Sequence, residues 1–287
     1  MESITASSDL AMVQEYPPIP FVNLRRLKKI IESKYDSIEQ GDENIHLTVS
    51  NFGATDFDAI HRWRANFRKG LRFTYFGDIS TCIIKCPSRL QECAHGSLGS
   101  AIALKLMMMN IDYGEFYPKG ATLYAGPLGS WKQANSSWKN PNIRSSHTWP
   151  HLVLEVGLAE SLPRLRSDVR FWIERSQRQV EIVIIVQIKR QTREVLIEKY
   201  VPAQPSSGPV TRSRATSLSF VAQKVSEISI SLDNPTNTPV VQGGPLILEF
   251  EKVLGRAPRH PEHDIILTQE DLMLWSERLF RGIFRTL

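Results

Sequence analysis

Glu155 is the residue whose type and setting most demand an explanation. It lies in Trp149-Pro-His-Leu-Val-Leu-Glu-Val-Gly157, where Leu152 to Val156 is otherwise apolar and of strand length. Taking an unpaired carboxylate out of water costs several kcal/mol, so the position calls for a partner, a metal ion or an exit to solvent. Two other groupings could do chemistry. Cys82, Cys86, Cys93 and His95 lie close together with the spacing C-x3-C-x6-C-x-H. Alternation along the strand-like stretch Ile79 to Cys86 puts the first two on one face, where cysteine packs as a small apolar residue, and this reading is preferred to zinc. The loop Arg259-His260-Pro261-Glu262-His263-Asp264 gathers possible ligands. Proline between the histidines excludes a helical i, i+4 pair, which leaves a polar loop. No P-loop, kinase signature, nucleophile elbow or dinucleotide fingerprint is present.

The elements that must position Glu155 are legible around it. After its strand, a helix is predicted from an N-cap at Ser161, with Pro163 in the first turn. Leu162, Leu165, Val169, Trp172 and Ile173 form its apolar face, and Arg164, Ser167 and Arg170 fall away from it. Val180–Ile188 is a β-branched run that reads as a central buried strand, with Glu194–Tyr200 as its hairpin partner. Upstream, residues 19–35 show helical spacing with a basic face of Arg25, Arg26, Lys28 and Lys29, read as solvated. A short helix is predicted over Ile60–Lys69. Strands Leu71–Phe76 and Ile79–Cys86 flank a Gly77-Asp78 turn, and a long helix runs from Pro87 to about Asn110. Ala121–Ala125 and Val225–Leu232 read as strands. Thr268-x-x-Asp271 resembles a capping box opening a C-terminal helix striped by Leu272, Trp275, Leu279 and Ile283.

From about Pro87 to Tyr200 the chain resembles the restriction-endonuclease-like PD-(D/E)XK superfamily, and within it the Uma-type endonucleases and their uncharacterised fungal relatives. The matching pieces are Glu92 in the long helix, Ala134-Asn135-Ser136-Ser137-Trp138, Pro150-His151-Leu152-Val153-Leu154-Glu155-Val156, Trp172, and the apolar strand at 180–188. The resemblance implies an α/β fold with a mixed central sheet flanked by helices, here with extra N- and C-terminal helices. It implies a hard cation, Mg²⁺ or Mn²⁺, held by oxygen ligands at Asn135 and Glu155, with Glu92 an outer helper. Two departures stand out. Asn135 takes the place of the expected Asp, and Gly157 stands where the Lys of Glu-x-Lys belongs. The following helix offers Arg164, Arg166 and Arg170, which suit phosphate contacts but are poor proton carriers. Lys189 is the one lysine left nearby for the catalytic role, and it reads equally as a solvated strand end. Glu155 could instead pair with Arg164 or Arg166, Asn135 could bond its own loop, and Glu92 could serve only the helix dipole.

The chain has 287 residues, 41% of them hydrophobic, and a net charge of +5, which permits nucleic-acid binding without demonstrating it. Three cysteines argue against a disulfide framework. No apolar run is long enough to span a bilayer and no secretory leader is evident, so an intracellular protein of cytoplasm or nucleus is expected. The expected organisation is a disordered tail over 1–18, an endonuclease-like core with an N-terminal extension over 19–200, a flexible insertion over 201–217, and C-terminal strands and helix over 218–287. The preferred function is a nuclease-fold protein with a degraded metal site that binds nucleic acid or acts as a scaffold. The alternatives are an active Mg²⁺- or Mn²⁺-dependent nuclease and an interaction protein with no nucleic-acid role. A homodimer is allowed, and no membrane partner is expected.

Overall fold

The computed structural model describes residues 5–67, 69–120, 122–158, 162–204, 220–232 and 238–284. In chain order the elements begin with α1 (Ser7–Ala11), β1 (Ile19–Pro20), α2 (Leu24–Glu39), β2 (His46–Ser50), α3 (Ala54–Arg64), β3 (Arg72–Phe76) and β4 (Thr81–Lys85). There follow α4 (Arg89–Met108), β5 (Tyr117–Pro118), β6 (Leu123–Ala125), β7 (Trp131–Gln133), β8 (Ser136–Lys139), β9 (Leu152–Leu158), α5 (Leu162–Arg175) and β10 (Ile182–Lys189). The chain continues through β11 (Glu194–Ala203), β12 (Val221–Ser231), β13 (Val240–Gln242), β14 (Leu246–Leu248), α6 (Phe250–Leu254), β15 (Ile265–Leu267) and α7 (Gln269–Phe284). The class is mixed α/β, as expected from the sequence. The chain forms two compact units, Thr5–Arg89 with Ala121–Ala134, and Leu90–Gly120 with Asn135–Leu287. Residues 19–200, expected as an endonuclease-like core with an N-terminal extension, contribute to both units.

The first unit is a six-stranded sheet in the order β1-β2-β4-β3-β7-β6. β3 and β4 form the hairpin expected around Gly77-Asp78. The expected helix over 19–35 instead starts at Leu24, because Asn23 is extended and its side chain accepts the Arg26 N–H at 2.9 Å. Ile19 and Pro20 pair with Val49 and Ser50. Leu27, Ile31, Phe57, Ile60, Phe73 and Ile84 build one hydrophobic core, and Cys82 and Cys86 belong to it. Burial pushes the Cys86 thiol up to about 12 and Cys82 higher still, so both behave as apolar residues. The segment expected as a disordered tail contains α1, whose Leu10 and Ala11 are buried. A short apolar pair with something to cover outweighs a polar composition.

The second unit holds a seven-stranded sheet in the order β13-β12-β11-β10-β9-β8-β5. β9 and β10 are parallel and joined by α5, while β5, β8, β11, β12 and β13 pair antiparallel with their neighbours. The continuous apolar reading of β9 and β10 has its cause here. Every β9 residue is buried, and every β10 residue but Lys189. On α4, Gly99 admits the Trp138 ring of β8, since a Cβ there would overlap it. The expected capping box forms: the Asp271 N–H donates to Thr268 Oγ1 at 3.1 Å and the Thr268 N–H to Asp271 Oδ2 at 2.8 Å. Ser161, the expected N-cap of α5, and all of the expected insertion beyond residue 204 lie outside the described residues, while β11 runs to Ala203. No described helix is long and apolar enough to cross a membrane.

Candidate functional site

β9 carries Glu155 into the interior. Its register partner on β10 is Ile185, and its side chain faces α5, where Trp172 Nε1–H donates to Glu155 Oε1 at 2.9 Å. Glu155 is 1% exposed. Helical spacing sets up this contact: Trp172 lies on the same stripe of α5 as Leu165 and Val169, so the apolar face that docks the helix also delivers an indole N–H to the carboxylate.

Asn135 immediately precedes β8. The pairing of Ser136 with Leu154 and of Ser137 with Val153 puts it beside Glu155. Its Oδ1 accepts the Val156 N–H at 3.0 Å, standing in for a ladder carbonyl where β8 begins. The two positions matched to metal ligands thus meet at one place. Lys189 does not join them. It lies four residues beyond Ile185 on β10, about 13 Å along the strand. Its side chain is 49% exposed and pairs with Glu194 at 2.8 Å. Glu92, on α4, has Oε2 3.1 Å from His95 Nε2, and His95 Nδ1 is 2.8 Å from Ser136 Oγ.

The arginines of α5 part company. Arg164, expected away from the apolar face, is 2% exposed, and Ser167, Asp168 and Arg175 are buried too. α5 is enclosed on more than its hydrophobic stripe, so the Arg164 guanidinium is not on the surface where a phosphate could meet it. Arg166 reaches Glu198 rather than Glu155, with Nε at 3.0 Å and Nη2 at 2.5 Å from its two oxygens. Tyr200 O–H donates to the same carboxylate at 2.6 Å, and Lys224 Nζ lies at 3.3 Å. Burial alone would raise the Glu198 carboxyl, but the bonds from Arg166, Tyr200 and Lys224 override it and hold it at about 2. Arg170 is half-buried.

Lys139 and His151 are among the buried ionisable groups that the sequence reading did not single out. Lys139, at the end of β8, donates to the carbonyls of Ser145 and Thr148, each at 2.7 Å. Burial, with Lys119 and Arg144 nearby, brings its ammonium down to about 8. His151 accepts the Asn140 N–H on Nδ1 at 3.3 Å, and burial, then Arg144 and Lys139, bring its imidazole to about 3. His151 directly precedes β9, and that position was the one available signal. Nothing local marked Lys139, whose acceptors come from a loop that only the fold wraps around it.

No family model matches the chain, and no curated protein matches it. Among solved structures, a crystal structure from Anabaena variabilis ATCC 29413, described as a nuclease candidate belonging to DUF820, aligns over 71% of this chain and 90% of that one. The identity is 10% and the TM-score 0.38, too low for the likeness to bear on fold or function.

The donors at the meeting point do not fit a hard divalent cation. Such an ion needs several oxygen ligands, preferably anionic. Here one carboxylate oxygen is bonded to an indole, and one amide oxygen is bonded to a backbone N–H. Among the described residues no group of three or more His, Cys, Asp or Glu could hold a metal ion.

Proposed function

We propose that the second unit is a nuclease-type α/β core of the Uma kind whose former metal positions have become structural, and that the protein acts by binding, to nucleic acid or as a scaffold, rather than by hydrolysing phosphodiesters. The bond from Trp172 to a fully buried Glu155 carries this reading. The carboxylate that would hold the ion instead fastens α5 to the sheet, and Asn135 fastens β8 to β9. The order of pieces supports the ancestry. Helix α4 with Glu92, strand β8 behind Asn135, strand β9 with Glu155, helix α5 with Trp172 and the parallel strand β10 follow one another as the resemblance implies. The net charge of +5 and the exposed Arg25, Arg26 and Lys29 on α2 suit a polyanionic partner.

The deciding experiment offers plasmid, single-stranded DNA and RNA to the purified protein in Mg²⁺ and in Mn²⁺, with Glu155→Ala as control. The expected outcome is no cleavage, with salt-sensitive nucleic-acid binding by fluorescence anisotropy. Cleavage that Glu155→Ala abolishes would establish a working nuclease and sink the proposal. Asn135→Asp restores the missing charge, and gained Mn²⁺ binding by calorimetry is the expected sign of a decayed site.

A further inference from the structure

The solvent face of a surface helix ordinarily carries charge. That of α4 does not. From Cys93 to Met108 the only Asp, Glu, Lys or Arg is Lys105, which turns aside to pair with Asp271 of α7 at 2.7 Å. What meets solvent is a stripe about 22 Å long, in two unlike halves. The first half is small. Cys93, Gly96 and Ser100, three and four residues apart, are all exposed, and a Cβ at Gly96 would meet nothing within 4 Å. The second half is large and apolar. Leu104, Met107 and Met108 continue the spacing and are 56%, 60% and 72% exposed. Along one flank α7 runs antiparallel to α4: beyond the pair at Asp271, Trp275 Nε1–H donates to Ser97 Oγ at 2.9 Å. Leu274, between those two contacts, is exposed as well. Large apolar side chains this exposed and this close together mark a docking surface.

We propose that this face binds a second copy of the chain, in a two-fold dimer whose α4 helices run antiparallel and cross at Ser100. The reason is that the stripe is complementary to itself. Gly96 and Leu104 lie equally far from Ser100 on either side, and so do Cys93 and Met107. A two-fold axis at Ser100 therefore sets Leu104 of one copy into the notch at Gly96 of the other, and Met107 onto Cys93, at both ends at once. A parallel pair would put small on small and large on large, leaving a gap at one end and a clash at the other. Charge agrees with the antiparallel choice. Exposed Glu270 opens α7 and exposed Arg278 lies two turns further on. The same axis brings the Glu270 end of one α7 toward the Arg278 end of the other, so the ends attract. Two such stripes bury on the order of 1,000 Å², the low end for a specific interface, so the dimer is a weak one. The proposal does not depend on the role of Glu155 or on nucleic-acid binding.

The test is sedimentation velocity on the full chain over roughly 1–100 µM, a range that brackets a micromolar dissociation constant. A monomer–dimer equilibrium is expected. Leu104→Lys should weaken it by about tenfold or more with the melting temperature retained. Val225→Lys, at an exposed position of β12, should leave it unchanged. Crosslinking fixes the orientation and keeps the test decisive should Leu104→Lys fail to fold. Cys93 is exposed while Cys82 and Cys86 are buried. In an antiparallel pair the two Cys93 thiols are about 21 Å apart along the axis, so copper phenanthroline should leave the wild type uncrosslinked. The double variant Cys93→Ser, Ser100→Cys should form a disulfide-linked dimer on non-reducing gels. A chain that stays monomeric throughout the range overturns the proposal and leaves the face to a different partner. So does a dimer unmoved by Leu104→Lys in the folded variant, or one that crosslinks through Cys93 and not through position 100.

Discussion

Trp172 and Glu155 show how much one hydrogen bond decides. A buried carboxylate that lacks a donor is expensive, and the Trp172 indole supplies Glu155 with one. Trp172→Phe keeps the ring and removes the donor, so it is expected to destabilise the protein by roughly 1–3 kcal/mol in urea unfolding. An unchanged unfolding midpoint would mean that the indole does not satisfy the carboxylate. Glu198 solves the same problem differently, by gathering Arg166, Lys224 and the Tyr200 hydroxyl around one fully buried anion. Its partners come from a helix and two strands, so no local pattern in the sequence announced them.

At the scale of elements, α4 is set by two glycines that do opposite things. Gly99 is where β8 comes closest, and Gly99→Val would drive a side chain into Trp138, with an expected loss of about 1–3 kcal/mol. Gly96 faces open space, and Gly96→Ala is expected to stabilise the helix by about 0.5–1 kcal/mol. Measured together by thermal unfolding, the two should shift in opposite directions, and a common direction would contradict this packing of α4 on β8. The cap of α7 was legible because it is local. Thr268 and Asp271 are three residues apart and satisfy each other's backbone, so Thr268→Ala should cost about 1 kcal/mol of stability, read by urea titration.

For the molecule as a whole, acid is the informative perturbation. The His151 imidazole sits near 3 when folded and about 6.5 when unfolded, so the unfolded chain takes up the proton first. Stability should therefore fall as the pH drops below about 6.5, and keep falling toward 3. Glu198 acts lower. Its carboxyl is at about 2 when folded against 4.5 ordinarily, so its contribution is intact above about 4.5 and fades as the pH falls toward 2. His151 shares the window between pH 6.5 and 5 with His61, whose imidazole burial also lowers, and His151→Gln should reduce the slope of the unfolding midpoint there. A slope unchanged by that substitution would assign the acid response to other groups.

By itself the sequence determined what is local. The strands read at 152–156 and 180–188, the helix between them, the hairpin at Gly77 and the cap at Thr268 follow from periodicity, β-branching and turn chemistry acting over a few residues. It also marked Glu155 as a carboxylate in need of a partner, and Asn135 and Gly157 as departures from the pattern it resembles. Only the tertiary structure decided where those groups go. It buried Arg164, sent Arg166 to Glu198, left Lys189 with Glu194 and gave Glu155 to Trp172. It also set Ser136 against a histidine forty-one residues earlier in the chain. Side-chain partners are chosen by which strand lies beside which and by what a helix covers, and the spacing of residues along the chain does not carry that information.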